Sequence, residues 1–582
     1  MKKACLAALL VAAMPGLVRA EGCKLGKLAE LPVTMVGRKP LVHAGINGKD
    51  YIFLADSGAY SSFLTPSTVA ESQLATRTAP ADYWVGTATG YEKPEITTVS
   101  TFTLAGVPIS DLEFLVKNSE VAGAAGLMGQ NILALYDTEF DLAGGMIRMM
   151  RSEGCGKVGL AYWRKAGEGY SQLQTEPIVG TASHIVGTVL VNGVHLRAMF
   201  DTGAPVSEMT LEAAAKVGLK PDGPRVAAGG SWDDGTRRHQ TWIGTVAKLK
   251  IGDEEIANAR MRFGKTIDTG FDMIIGADFF LSHHIYYAPK LRLLYFTYNG
   301  GPIFNLSTGS PAAEEPVAQV AGGDEPKDAA SYARRGTARL GRGDPAGALA
   351  DLDRAVSMDP DNPEYFRQRA SAYQSAGKLD ASIADIEKLV KLKPDDVQGH
   401  LLLAVARRGK GDIPASRAEM KKAEKGLSPA SDQQLSVAEM LSMMDDYEGS
   451  IPHFVQWLAV HPRDTRAPTA YNSLCWARAV SGKDLPAALK ECDAALDGRP
   501  GEAAFFDSRA LVYLRLGEVS KAIADYDAAL AKKKFPDSYY GRGLAHLRQG
   551  QKTEGEADLA QARKIDPGVA ERFKQMGLTP GT

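Results

Sequence analysis

Two phrases in the 582-residue chain place an acid on a tight turn at the end of an apolar run. One runs from Phe53 into Asp56-Ser57-Gly58-Ala59, the other from Met199 into Asp201-Thr202-Gly203-Ala204. Two carboxylates held a few ångströms apart cannot easily both ionise, so they share one proton. The ionised partner can take a proton from a water while the protonated one hydrogen-bonds an oxygen that is gaining negative charge. Such chemistry needs no metal or covalent nucleophile, but it needs both turns in one place. Taken singly, each tripeptide is also an ordinary turn, because Asp, Ser and Gly all favour turns.

The elements around the two acids repeat. Each acid ends a hairpin, residues 41–55 around Asn47-Gly48 and residues 185–200 around Asn192-Gly193. Asn-Gly supplies the positive φ angles of a two-residue turn. A short helix follows (66–73; 211–217), then a glycine-flanked aromatic hairpin, with Trp84, Gly86 and Gly90 in the first copy and Gly229, Gly230 and Trp232 in the second. Strands are expected at 97–104 and 111–116. An apolar-apolar-glycine turn then ends at Gly129 or Gly276, 73 and 75 residues after the acid, and a closing strand completes each copy. The shared order makes residues 24–155 and 170–300 two versions of one mainly-β lobe.

The two acid turns, each followed by Leu127-Met128-Gly129 or Ile274-Ile275-Gly276, resemble the retropepsin-like (retroviral-type) aspartic proteases over roughly residues 28–300. Retropepsins pair two one-lobe chains, whereas here both lobes lie in one chain, as in pepsins. The resemblance implies a bilobal acid-protease-like fold with Asp56 and Asp201 as the catalytic pair for peptide hydrolysis. It implies that the Ser57 and Thr202 hydroxyls lock the turns together, that Gly58 and Gly203 permit close approach, and that Gly129 and Gly276 pack beneath. The segments holding Trp84, Gly86 and Gly90, and Gly230 and Trp232, would be flaps over an extended peptide or protein substrate, and no cofactor is implied. Two features depart from the family: residues 232–239 are polar and charged, and Ala55 stands where Phe200 stands in the second lobe.

Residues 306–327 are rich in Pro, Gly, Ala and acids and read as a flexible linker. Beyond them small residues recur at Gly336, Ala348 and Ala355, then at Ala370 and Ser382, with Pro360 and Pro394 one 34-residue step apart. This pattern resembles the tetratricopeptide (TPR) repeat, about seven copies over residues 329–567, with a capping helix and tail at 568–582. The resemblance implies an all-α solenoid whose concave face takes a protein partner. The aromatic positions of such an array also fit plain packing between helices.

A formal charge of −2 with 23% charged residues gives no global field for nucleic acid or an anionic membrane. Residues 1–20 read as a signal peptide: Lys2 and Lys3, an apolar run over 4–13, and Val18-Arg19-Ala20 before the cut. The alternative is an N-terminal anchor. No other apolar run approaches a membrane span, so a periplasmic or secreted protein with no membrane span in the mature chain is expected. Its four cysteines favour disulfides, by locality Cys23 with Cys155 and Cys475 with Cys492, the first pair alternatively being two free buried thiols. His283-His284 lack the spacing of a metal site, and no metal is expected. The combined reading is an exported bacterial aspartic endopeptidase whose repeats recruit substrate or tether the enzyme. The alternative is a catalytically inactive peptide-binding scaffold of the bacterial envelope.

Overall fold

The computed structural model describes residues 23–80, 83–87, 90–117, 123–156, 158–165, 167–177, 184–233, 238–265, 270–304 and 325–580. The expected signal peptide, residues 1–20, and most of the expected linker, residues 305–324, lie outside the described residues. The chain divides into two units, Met1–Pro394 and Asp395–Thr582.

In the first unit, each acid strand, Lys49–Ala55 or Val194–Phe200, is central to a sheet because its sequence is apolar on both faces near the acid. Around the first, the order is Thr34–Val36, Lys39–Ile46, Lys49–Ala55, Gly126–Met128, Phe63–Leu64, Val107–Val116, Glu95–Leu104, Thr76–Thr78. Around the second it is Ile185–Val191, Val194–Phe200, Met273–Ile275, Glu208–Thr210, Glu254–Gly264, Arg238–Ile251, Val226–Asp233. Both acid strands pair in parallel with the short strand that ends at the later glycine: Ala55 lies opposite Met128, and Phe200 opposite Ile275. The tight turns within both hairpins hold Asn47 and Asn192 at positive φ, 50° and 51°.

A third sheet joins the lobes. Its order is Lys24–Pro32, Met146–Glu153, Asp137–Asp141, His283–Ala288, Leu293–Tyr298, Ser171–Gln174, and the seam is the antiparallel pairing of Phe140 with Ile285 and Thr138 with Tyr287. Glu139 is buried on this seam, where it accepts from His284 Nε2 at 2.8 Å, Arg148 Nη1 and Tyr162 Oη. Burial raises its carboxyl, but these donors outweigh that and hold it below the usual carboxylate range. His284 also stacks on Trp163 at 3.7 Å, whereas His283 takes Glu254, so the adjacent imidazoles serve different neighbours. Cys23 and Cys155 form a disulfide that ties the start of lobe 1 to its end.

The first unit also holds two helix pairs, Ala329–Gly341 with Pro345–Met358 and Pro363–Ser375 with Leu379–Leu392. The first of these helices lies on lobe 1, and its C-terminal end also reaches lobe 2. Ala338 belongs to the same buried core as the lobes, Met35 N–H donates to Thr337 Oγ1 at 3.3 Å, Arg38 Nε donates to the Gly341 carbonyl at 3.1 Å, and Arg342 Nη2 donates to the Gly300 carbonyl at 2.7 Å.

The second unit is five more helix pairs between Val397 and Ile565, followed by the helix Val569–Gln575. Small residues such as Ala404, Ala438, Ala488, Ala510 and Ala522 are fully buried where paired helices cross. Cys475 and Cys492 form a disulfide between the two helices of one pair, Ala467–Ser481 and Leu485–Gly498. Among the described residues no helix is long and apolar enough to cross a membrane.

Candidate active site

The acid turns meet face to face at the end of the two acid strands. Asp56 N–H donates to the Met128 carbonyl at 3.0 Å and Asp201 N–H to the Ile275 carbonyl at 2.9 Å, so each acid's backbone is fixed by the strand beside it. The two fully buried hydroxyls then cross between lobes. Thr202 Oγ1 accepts from Ser57 N–H at 2.9 Å and donates to the Ala55 carbonyl at 2.8 Å. In mirror fashion, Ser57 Oγ accepts from Thr202 N–H at 3.0 Å and donates to the Phe200 carbonyl at 3.0 Å. Each hydroxyl uses its one donor and a lone pair on the opposite lobe, so neither can leave without stranding buried backbone groups.

That clasp brings the carboxyls together. Asp56 Oδ1 accepts from Gly58 N–H and Ala59 N–H, both at 2.8 Å. Asp201 Oδ1 accepts from Gly203 N–H at 2.7 Å and, across the lobes, from Gly58 N–H at 3.2 Å. A Cβ on Gly58 would lie 2.1 Å from Asp201 Cγ, and one on Gly203 would lie 2.2 Å from Asp56 Oδ2. Glycine is required at both positions because the opposite carboxyl occupies the space a side chain would fill. Burial first, and then the charge and hydrogen bond of Asp201 beside it, push the Asp56 carboxyl well above the usual carboxylate range. The pair therefore retains a proton at pH values where an ordinary aspartate has lost it.

Beneath each turn the later glycine is packed equally tightly. A Cβ at Gly129 would meet the Ala59 carbonyl oxygen at 2.8 Å, and one at Gly276 would meet the Val206 carbonyl carbon at 2.6 Å. Gly129 N–H donates to Ser62 Oγ and Gly276 N–H to Ser207 Oγ, each at 2.9 Å. Ser62 in turn donates through N–H and Oγ to Asn131 Oδ1, while Ser207 donates to both carboxylate oxygens of Asp278. These four side chains escaped the sequence reading. Their signal was available: Ser62 and Ser207 stand six residues after their acids, and Asn131 and Asp278 two after their glycines.

The flap candidates differ between lobes. Trp84, 57% exposed, precedes a separate two-stranded hairpin, Val85–Thr87 with Gly90–Glu92, in which Gly86 pairs with Tyr91. In lobe 2 the corresponding hairpin is continuous with the main sheet, with Trp232 opposite His239 and a register shift between Ala228 and Gly230, where Gly230 adopts φ +90°. The charged tip, residues 234–237, lies outside the described residues, as does the Trp232 side chain. One further group faces the acid turns. His184 packs edge-on to Phe271 at 5.9 Å, and burial holds its imidazole below the usual value although the Asp201 charge opposes this. Among the described residues no group of three His, Cys, Asp or Glu could hold a metal ion.

Comparisons with known proteins fall on the same halves. The family described as "gag-polyprotein putative aspartyl protease" matches residues 42–134, an aspartyl protease family matches residues 187–279, and the tetratricopeptide repeat family matches 333–373, 367–432 and 508–570. The N-terminal half is thus a tandem of retropepsin-like aspartyl protease lobes, fused to a C-terminal TPR array. No curated protein matches the chain. Similar solved structures include YrrB, a TPR protein with an unusual peptide-binding site (16% identity, 31% of this chain and 91% of that one, TM-score 0.28). Another is a tetratricopeptide repeat protein from Parabacteroides merdae (15% identity, 43% of this chain and 98% of that one, TM-score 0.30).

Proposed function

We propose that the protein is an aspartic endopeptidase with Asp56 and Asp201 as its catalytic pair. The observation that carries this reading is the half-buried carboxyl pair, hydrogen-bonded between lobes and held by the reciprocal, fully buried Ser57 and Thr202 hydroxyls. One proton serves both acids. The ionised carboxylate takes a proton from a water, that water attacks the scissile carbonyl, and the carboxyl that kept its proton donates to the carbonyl oxygen as it becomes an oxyanion. Collapse of the tetrahedral intermediate returns a proton to the leaving amine. An extended peptide would lie between the lobes under the two hairpins, and the TPR array would bind a protein partner or recruit substrate. Action in an exported compartment of a bacterium fits the N-terminal segment and the two disulfides.

The test is hydrolysis of a peptide library by the purified mature chain, with inhibition by a statin-type transition-state analogue. Asp56→Asn and Asp201→Asn should each reduce kcat/KM by about a thousandfold or more. Full activity in both variants, or no cleavage from acidic to neutral pH, would overturn the reading. Tight peptide binding without turnover would instead support a peptide-binding scaffold.

A further inference from the structure

The seventh residue after each acid is Phe63 in lobe 1 and Glu208 in lobe 2. In both lobes the next residue, Leu64 or Met209, is fully buried in the main core, so alternation turns Phe63 and Glu208 to the opposite face of the sheet. Phe63 there packs against the cluster of Ala79, Ile96 and its strand partner Leu115, which Tyr83 and Val85 at the foot of the first hairpin also cover. It also packs against the cluster of Leu41, Leu54, Ala124 and Leu127, as does Ala59 of the acid turn.

The equivalent place in lobe 2 is polar. Glu208 lies opposite Arg262 in the strand register. Arg262 Nη1 donates to the Gly229 carbonyl and, at 2.7 Å, to Thr241 Oγ1, which anchors the foot of the second hairpin on both of its strands. Two atoms remain buried with no hydrogen-bond partner among the described residues, Glu208 Oε1 and Arg262 Nε. Oε1 lies close over Gly264, where a Cβ would come within 2.8 Å of it. A buried carboxyl oxygen without a donor is costly, and an apolar residue, as in lobe 1, would avoid that cost. Glu208 lies on the sheet face turned away from the main core, beside the hairpin foot that Arg262 anchors, where a bound chain can supply what the fold does not.

We propose that Glu208, backed by Arg262, forms a polar subsite on the lobe 2 side that takes a substrate side chain bearing hydrogen-bond donors, while Phe63 forms an apolar subsite on the lobe 1 side. The inference rests on the peptidase reading and adds its substrate class: peptides that change from apolar to polar across the scissile bond. Burial also pushes the Glu208 carboxyl up to about 7, against the pull of Arg262, so near neutral pH it can accept or donate.

The experiment uses the full mature chain and paired peptides that carry Gln or Leu at the positions flanking the scissile bond. Wild type should favour Gln over Leu on one side only, by roughly tenfold in kcat/KM. Glu208→Leu should abolish that preference and raise cleavage of the Leu-Leu peptide, and Phe63→Gln should make the other side accept Gln. An unchanged preference in Glu208→Leu, or a wild-type preference for Leu on both sides, overturns the subsite. The same peptides are titrated by fluorescence anisotropy against Asp201→Asn. Selective binding of the Gln peptide without wild-type turnover would refute the peptidase but keep the subsite, equal binding would refute the subsite, and no binding would refute both.

Discussion

The two lobes share a frame and differ in what they present. At the acids, the hydroxyls, the clasping glycines and the serines beneath, lobe 2 repeats lobe 1 residue for residue in role. One face away they part: Phe63 and Leu115 against Glu208 and Arg262, Asn131 against Asp278, a separate hairpin against one continuous with the sheet. The contrast separates two kinds of constraint. Positions that touch the opposite lobe are fixed because a change in one strands buried groups in both, whereas positions that contact only their own lobe are free to diverge.

Breaking the shared frame should have the largest effect. Gly58→Ala and Gly203→Ala each drive a methyl into the opposite carboxyl, and kcat/KM should fall at least about a hundredfold in either. A loss confined to one lobe would show that the clasp is not reciprocal. Next comes a fastening that lobe 1 has and lobe 2 lacks. The Cys23–Cys155 disulfide closes a separation of 132 residues, and replacing both cysteines by Ser should cost about 4 kcal/mol in denaturant unfolding.

The clasp itself is smaller. Thr202→Val strands Ser57 N–H and the Ala55 carbonyl, for about 2 to 3 kcal/mol, and Ser57→Ala should match it if the lobes are equivalent. The smallest effect probes Asp278, whose fully buried carboxyl is raised by burial against the Ser207 hydrogen bonds. Because its folded pKa lies above the unfolded value, its stability contribution is complete below the unfolded pKa and declines as pH rises through the folded one. Asp278→Asn, which copies Asn131, should flatten that part of the stability curve. An unchanged slope would mean that the two supports are interchangeable.

Much of the frame was legible because it rests on local signals: apolar runs, Asn-Gly turns, and an acid before a glycine. The strands Lys24–Pro32 and Ser171–Gln174 were not, because neither alternates cleanly and both gain strand character by pairing at the edges of the sheet that joins the lobes. Phe63 and Glu208 could be found only by counting from the two acids in parallel. In the repeats, Arg335 with Asp351, Arg369 with Asp385, Arg509 with Asp525 and Arg542 with Asp558 form ion pairs at a constant spacing of 16 residues. That interval was visible in the sequence, but it is masked by the stronger alternation of small residues and prolines.

The helix Ala329–Gly341 on lobe 1 changes where this chain can be cut. A break within residues 305–324, where the composition changes most sharply, would sever the covalent path and leave the Thr337, Gly341 and Arg342 contacts in place. The two fragments would travel together through gel filtration. Ending the chain at residue 304 would leave Met35 N–H, the Arg38 side chain and the Gly300 carbonyl without these partners. For recombinant dissection, the natural stopping place is after the second helix pair, at Pro394, inside the repeats rather than before them.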